Sequence, residues 1–170
     1  QALYQDLKFL ENNFGGVMPL EVLVDTKKKR GLLKSYNLKK IEELNVLLAS
    51  YPDFSKSISY VEILKHCKQA YYNGDSLFYS LPNSQEQSLL LSYFKNSTEG
   101  LGMKNLLMDS LMQEARITLR VADISTSRMD SLFTQLMPQI DKIFNPEKYD
   151  ALNEVDVVLG NKEKLTSNVW

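Results

Sequence analysis

With 170 residues, 44% of them hydrophobic and 24% charged, the chain can bury one substantial core or two small ones. Its formal net charge of -1 argues against a nucleic-acid binder held by bulk electrostatics, because such domains carry a basic excess or stripe. Cys67 is the single cysteine, which removes an intramolecular disulfide and a cysteine zinc cluster, and no run reaches the roughly 20 apolar residues that span a bilayer.

A soluble globular chain is therefore expected, with partners bound by shape and apolar contact. Gln1 is not a translation start and no signal-peptide pattern opens the sequence, so it reads as a piece of a longer chain.

Residues 3–13 set Leu3, Leu7 and Leu10 on one helical face beside Tyr4, and the following "FGG" permits a sharp exit. "PLEVLVDT" then alternates Leu20, Val22 and Val24 with Glu21, Leu23 and Asp25. This is apolar on both sides except at the two carboxylates and suits an interior strand, with Pro19 at its tolerated first position. "TKKKR" at 26–30 has the composition of a nucleic-acid or lipid-headgroup patch, but between strand and helix in a near-neutral chain it reads as a solvated turn.

"SYNLKKIEELNVLLASYP" predicts an amphipathic helix, with Leu38, Ile41, Leu44, Leu48 and Tyr51 in one stripe and Pro52 as a stop. "FSKSIS" reads as a short extended piece. Ser59 and Glu62 have capping-box spacing ahead of Val61, Leu64 and Cys67, which predicts a helix ending at Asn73-Gly74. Asn83 and Glu86 repeat that spacing before "QSLLLSYF", for a helix ending near Asn96. Residues 59–98 thus form a helical insert.

"EARITLRVADIS" alternates strictly, with Ile117, Leu119 and Val121 on one face and Arg116, Thr118 and Arg120 on the other, as in a strand with one side on a core. The preceding "NLLMDSLMQ" fits either its hairpin partner or a helical end. "SRMDSLFTQLMPQIDKIFNP" spaces Met129, Leu132, Phe133, Leu136, Ile140, Ile143 and Phe144 helically, with Ser127 as cap, Pro138 as a kink and Pro146 as a stop. "VDVVLG" closes the chain as a strand. Without the insert the order is strand, helix, strand, strand, helix, strand. That is the split βαβ arrangement of an α+β, ferredoxin-like fold.

Three segments, "DLKFLENNFGGVMPLEVLVDT", "LKKIEELNVLLASYPDFSKSISYVEILK" and "ARITLRVADISTSRMDSLFTQL", give the chain a resemblance to a known family. It resembles the first large extracytoplasmic loop of resistance-nodulation-division superfamily exporters, in the branch of mycobacterial large membrane proteins, hopanoid transporters and Patched-like proteins. The similarity covers residues 5–70 and 110–160. It implies an opening helix over 1–16 that follows a first transmembrane segment, and a double glycine that turns the chain into the first strand. A porter-like domain over 17–160 then carries the insert at about 59–98, and an exit segment over 161–170 leads toward the next transmembrane helix.

The resemblance implies a periplasmic, non-catalytic domain on the bacterial inner membrane that serves export of apolar or lipid-like substrates. Its partners would be the second porter domain and the transmembrane segments of the same full-length chain, with no cofactor, metal or nucleic acid. The residues that couple such exporters to proton flow lie in membrane helices outside this chain, so no catalytic residue carries over. A free-standing ferredoxin-like ligand-binding or sensor module is the alternative, and a small hydrolase of that fold is a weaker third.

Tyr71, Tyr72, Phe78, Tyr79, Tyr93 and Phe94 crowd the insert. They read either as a substrate or partner surface or, more simply, as packing of two insert helices on the sheet. His66 beside Cys67 points roughly 100° away on a helix and lacks a third ligand, so a helix pair is preferred to a metal or nucleophile site. Asp109, Glu114, Asp123 and Asp130 show no paired-carboxylate spacing and read as caps and surface charges.

Overall fold

Period-two alternation sets the sheet. In the computed structural model, which describes residues 4–6, 8, 9, 13, 16, 18–96 and 106–148 (backbone alone at 93–96), β1 (Met18–Asp25) pairs antiparallel with β2 (Glu114–Val121). The register sets Leu20 opposite Leu119, Val22 opposite Ile117 and Val24 opposite Ala115, so these side chains share one face. Ile117 and Leu119 are buried there, whereas Leu23 on the other face is 66% exposed. That corrects the expectation of a strand covered on both sides: alternation puts Leu23 with Glu21 and Asp25 on an open face. On that face Glu21 Oε2 lies 3.5 Å from Arg116 Nε.

β2 also has a neighbour along its other edge. Ile58 and Thr118 exchange backbone hydrogen bonds of 2.7 and 2.9 Å, Ser55 N donates to Arg120 O at 2.8 Å, and Ala122 N donates to Asp53 O at 2.9 Å. The extended piece at 53–58 is thus a broken antiparallel strand beside β2. The segment before β2 meets both readings of "NLLMDSLMQ", since residues 106 and 107 are helical and Met108 pairs with Ala115. Asp109 then closes the turn into β2 by accepting from Leu111 N, Gln113 N and Glu114 N at 3.1, 2.6 and 2.9 Å. Burial opposes its charge, but these backbone donors hold its carboxyl below the ordinary value.

Two glycines are required by close approaches. Gly16 has φ 141°, and a Cβ there would lie 2.5 Å from Val121 O, so the second glycine of "FGG" lets the chain pass the end of β2. A Cβ at Gly31 would fall 2.1 Å from Thr26 Oγ1, the hydroxyl that donates to Gln113 O. The basic run between them is exposed in its side chains but held by its backbone, Arg30 N donating to Leu111 O at 2.9 Å.

Helix α1 (Ser35–Ala49) buries Leu38, Ile41, Leu44 and Leu48 of the stripe expected from sequence, whereas Tyr51 falls beyond its end and is half-buried. With Leu32, Val61, Leu64, Ile117, Leu119 and Val121 these form the core of the first unit, each at most 2% exposed. Burial of each such side chain is worth about 1.5–3 kcal/mol relative to exposure. Helix α2 (Tyr60–Tyr71) and helix α3 (Ser84–Asn96) follow as the insert.

The chain divides into two units, Gln1–Ile124 and Ser125–Trp170. In the second, α4 (Thr126–Phe144) buries Leu132 and Leu136 and continues through Pro138. Its cap is Ser125, whose Oγ accepts from Arg128 N at 3.3 Å, rather than the expected Ser127. The expected strand at 155–159 and exit segment at 161–170 lie outside the described residues. The described residues thus form a mixed helix-and-sheet, α+β structure, and among them no helix is long and apolar enough to cross a membrane.

Candidate functional site

The two helices of the insert begin with the same motif and use it differently. Ahead of α3, Asn83 Oδ1 accepts from Gln85 N and Glu86 N at 3.0 and 2.9 Å, and Glu86 Oε2 accepts from Asn83 N at 2.9 Å. Both arms of that capping box are closed. Ahead of α2, Ser59 Oγ accepts from Glu62 N at 3.2 Å, but the Glu62 carboxylate turns away from the backbone. Ser59 Oγ also accepts from Asn45 Nδ2 at 2.9 Å, and Asn45 Oδ1 accepts from Ser57 Oγ at 3.1 Å. This buried chain of side chains joins the middle of α1 to the start of α2, with the polar groups it brings inside satisfied.

Glu62 instead enters a charged cluster. Lys65 Nζ, on a side chain 8% exposed, lies 2.5 Å from Glu62 Oε1 and 2.7 Å from Glu42 Oε1 of α1. The Tyr79 hydroxyl donates to Glu62 Oε2, and Lys65 Nζ sits 4.7 Å from the centroid of the Tyr79 ring. Lys56 Nζ reaches within 3.7 Å of Glu62 Oε2 from the solvent side. Burial opposes each charge, but the Lys65 and Tyr79 hydrogen bonds win at Glu62 and hold its carboxyl below the usual range. Likewise burial would lower the Lys65 ammonium, yet its bonds to Glu42 and Glu62 raise it. Burial, then the Glu62 carboxylate, pushes the Tyr79 hydroxyl up to about 12.

Beside this cluster, between α1 and α2, is a cavity of about 210 Å³, walled by the same charged side chains with Asn45, Val46, Ala49 and Ser57. The arrangement ties α1 to the insert and offers polar groups to a small molecule. It pairs no nucleophile with a base. His66 is exposed with its ring 4.8 Å from that of Tyr79, and the half-buried Cys67 thiol is pushed up by burial. Among the described residues no three His, Cys, Asp or Glu side chains gather as a metal site.

The aromatics singled out in the sequence divide between two places. Tyr72 and Phe78 stack with centroids 4.0 Å apart, and Tyr71 meets Tyr72 edge-on at 5.2 Å, at the C-terminal end of α2. The Tyr72 hydroxyl donates to Glu86 Oε1 at 3.1 Å, which fastens this group to α3. Tyr71 is 50% exposed and Leu77, in the loop that follows, 84%. Tyr79 stands apart from them on the charged cluster, and the side chains of Tyr93 and Phe94 lie outside the described residues.

Sequence reading missed Glu42, Glu62 and Lys65 as a group. The spacing of Glu62 and Lys65, three apart on a predicted helix, was a visible sign of a pair. Nothing local joined Glu42 to them. No protein-family model matches the chain, and no curated protein or solved structure matches it.

Proposed function

We propose that the chain is a non-catalytic, porter-like domain of a bacterial inner-membrane exporter of the resistance-nodulation-division superfamily. It stands on the periplasmic side and helps to form the route of an apolar or lipid-like substrate. Its partners are the second porter domain and the transmembrane segments of the same full-length chain.

The observation that supports this most is strand order. β2 lies between β1 and residues 53–58, antiparallel to both, and α1 connects those outer two in sequence. This is the beginning of a split βαβ sheet. In the proposal residues 155–159 add a fourth strand at the other edge of β1 and α4 is the second helix, which completes a ferredoxin-like fold. A fold does not fix a function, so the step from sheet to exporter rests on the sequence resemblance.

Within this reading the insert meets the partner porter domain or gates the substrate path. Tyr71 and Leu77 are the residues that suit the role, since both are apolar and exposed at its tip. Tyr79, engaged with Glu62, is better placed to hold the insert than to touch a partner.

The reading frame beyond residues 1 and 170 tests the assignment: an apolar run of about 20 residues is expected on each side. Flanks without such runs favour the free-standing ligand-binding or sensor module. The gating role is tested by export from the whole transporter carrying Tyr71→Asp or Leu77→Asp. Loss of export with normal protein level supports it, and unchanged export in both ends it.

A further inference from the structure

From Thr26 to Ile41 the chain carries seven lysine or arginine residues and no carboxylate. Folding returns little charge of the opposite sign. At that end of the sheet Asp25 pairs with Lys27, Glu114 stands opposite Asp25 in the register, and the Asp109 carboxylate is taken up by three backbone N–H groups. Three carboxylates against seven cations leave an excess of four positive charges. The first turn of α1, where the helix dipole is itself positive, holds no acidic residue. Lys28, Lys29, Arg30 and Lys34 are all exposed, and none of them forms an ion pair among the described residues.

The turn presents these cations in a fixed and costly shape. Lys27 and Arg30 have φ 56° and 58°, and Met112 in the facing turn has φ 54°, values that glycine or asparagine adopts with less strain. Thr26 N, Arg30 N and Leu32 N donate to Gln113 O, Leu111 O and Met112 O at 3.0, 2.9 and 3.0 Å, which locks the two turns together. Long basic side chains where the backbone favours glycine point to a use outside the fold. Apolar groups stand beside them: Leu111, whose carbonyl holds Arg30 N, is 48% exposed, and Tyr36 in the first turn of α1 is 54% exposed.

We infer that this corner of the first unit docks on an anionic lipid bilayer. Lys28, Lys29, Arg30 and Lys34 meet the headgroup phosphates, and Leu111 and Tyr36 enter the interface, the combination of basic and apolar groups by which a peripheral surface holds to a membrane. An acidic protein fits less well, because lysine is depleted at protein interfaces, whereas it suits the diffuse charge of a headgroup layer. A nucleic acid would use the cations but gain nothing from an exposed leucine. The inference stands apart from the exporter reading, because it uses only the charge and exposure of this corner.

Co-sedimentation of the chain with vesicles tests it, using phosphatidylglycerol mixed into phosphatidylcholine, phosphatidylcholine alone and, as a separate arm, a DNA duplex. Binding to the mixed vesicles at millimolar lipid is expected, with none to phosphatidylcholine alone and release as salt is raised. Lys28→Ser together with Lys29→Ser should weaken it about 30-fold, at about fivefold for each cation. Leu111→Ser leaves the charges in place and should weaken vesicle binding about tenfold without changing any binding to DNA. The contrast between the two vesicle types and the salt dependence need no variant, so the test stands if a substituted chain fails to fold. Equal binding to both vesicle types, no binding at millimolar lipid, an affinity unchanged in the folded double variant, or duplex DNA bound more tightly than the mixed vesicles would overturn the inference.

Discussion

The starts of α2 and α3 carry one motif with two outcomes. At Asn83 the glutamate three residues on returns to the backbone and the box is local and complete. At Ser59 the glutamate is drawn away by Lys65 and Tyr79, and the serine is shared instead with Asn45 of α1. The difference teaches that a capping box fixes where a helix begins but leaves its carboxylate available to stronger partners. An ammonium 2.5 Å away in a buried setting outcompetes one backbone N–H.

Breaking the cluster should show the largest effect. Lys65→Met leaves Glu42 and Glu62 facing each other without their cation, and is expected to cost about 3 kcal/mol by urea unfolding at neutral pH. The corresponding change for the other box, Lys68→Met, one turn further along α2, removes a 3.0 Å pair with Glu86 of α3, whose carboxylate keeps its bonds to Asn83 N and Tyr72. A loss of about 1 kcal/mol is expected there. Equal losses would mean that the tertiary cluster adds nothing to the local motif.

The caps rank the same way. Ser59→Ala removes the cap of α2 and strands Asn45 Nδ2, for about 2 kcal/mol, whereas Asn83→Ala removes a cap alone, for about 1 kcal/mol. Leu77→Asp at the exposed tip should stay within about 0.5 kcal/mol. A larger loss would show that the tip is packed rather than presented.

Acid unfolding sharpens the comparison. The Glu62 and Glu86 carboxyls are both held below their ordinary 4.5 in the fold, so their stabilisation is present above that pH and is lost as pH falls through the folded values. The penalty of Lys65→Met should therefore shrink as pH falls below 4.5, because protonated Glu62 no longer needs a cation. At the other limb the Tyr79 hydroxyl is raised from 10.0 to about 12, so its contribution fades as pH rises across that window. A penalty independent of pH between neutrality and the acid limb would contradict the charge argument.

Local chemistry was legible in the sequence. The stripe of α1, the alternation of β2 and both capping residues could be read because each depends on neighbours three or four residues away, or on period two. Leu23 was misread because an apolar residue on a strand does not say whether its face is covered. The cluster was invisible for another reason: Glu42 and Lys65 are 23 residues apart, and only the packing of α1 against α2 joins them. Among the aromatics, composition marked a group but could not separate Tyr79, which turns to Glu62, from Tyr72 and Phe78, which stack.

The central claim is that β1 and β2 belong to a four-stranded, ferredoxin-like porter sheet, and nuclear Overhauser contacts in the labelled chain test it most directly. Antiparallel cross-strand contacts between residues 155–159 and β1, with slowed amide exchange along that edge of β1, are the predicted result. Residues 155–159 without contacts to β1, together with rapid exchange along the same edge, would contradict it.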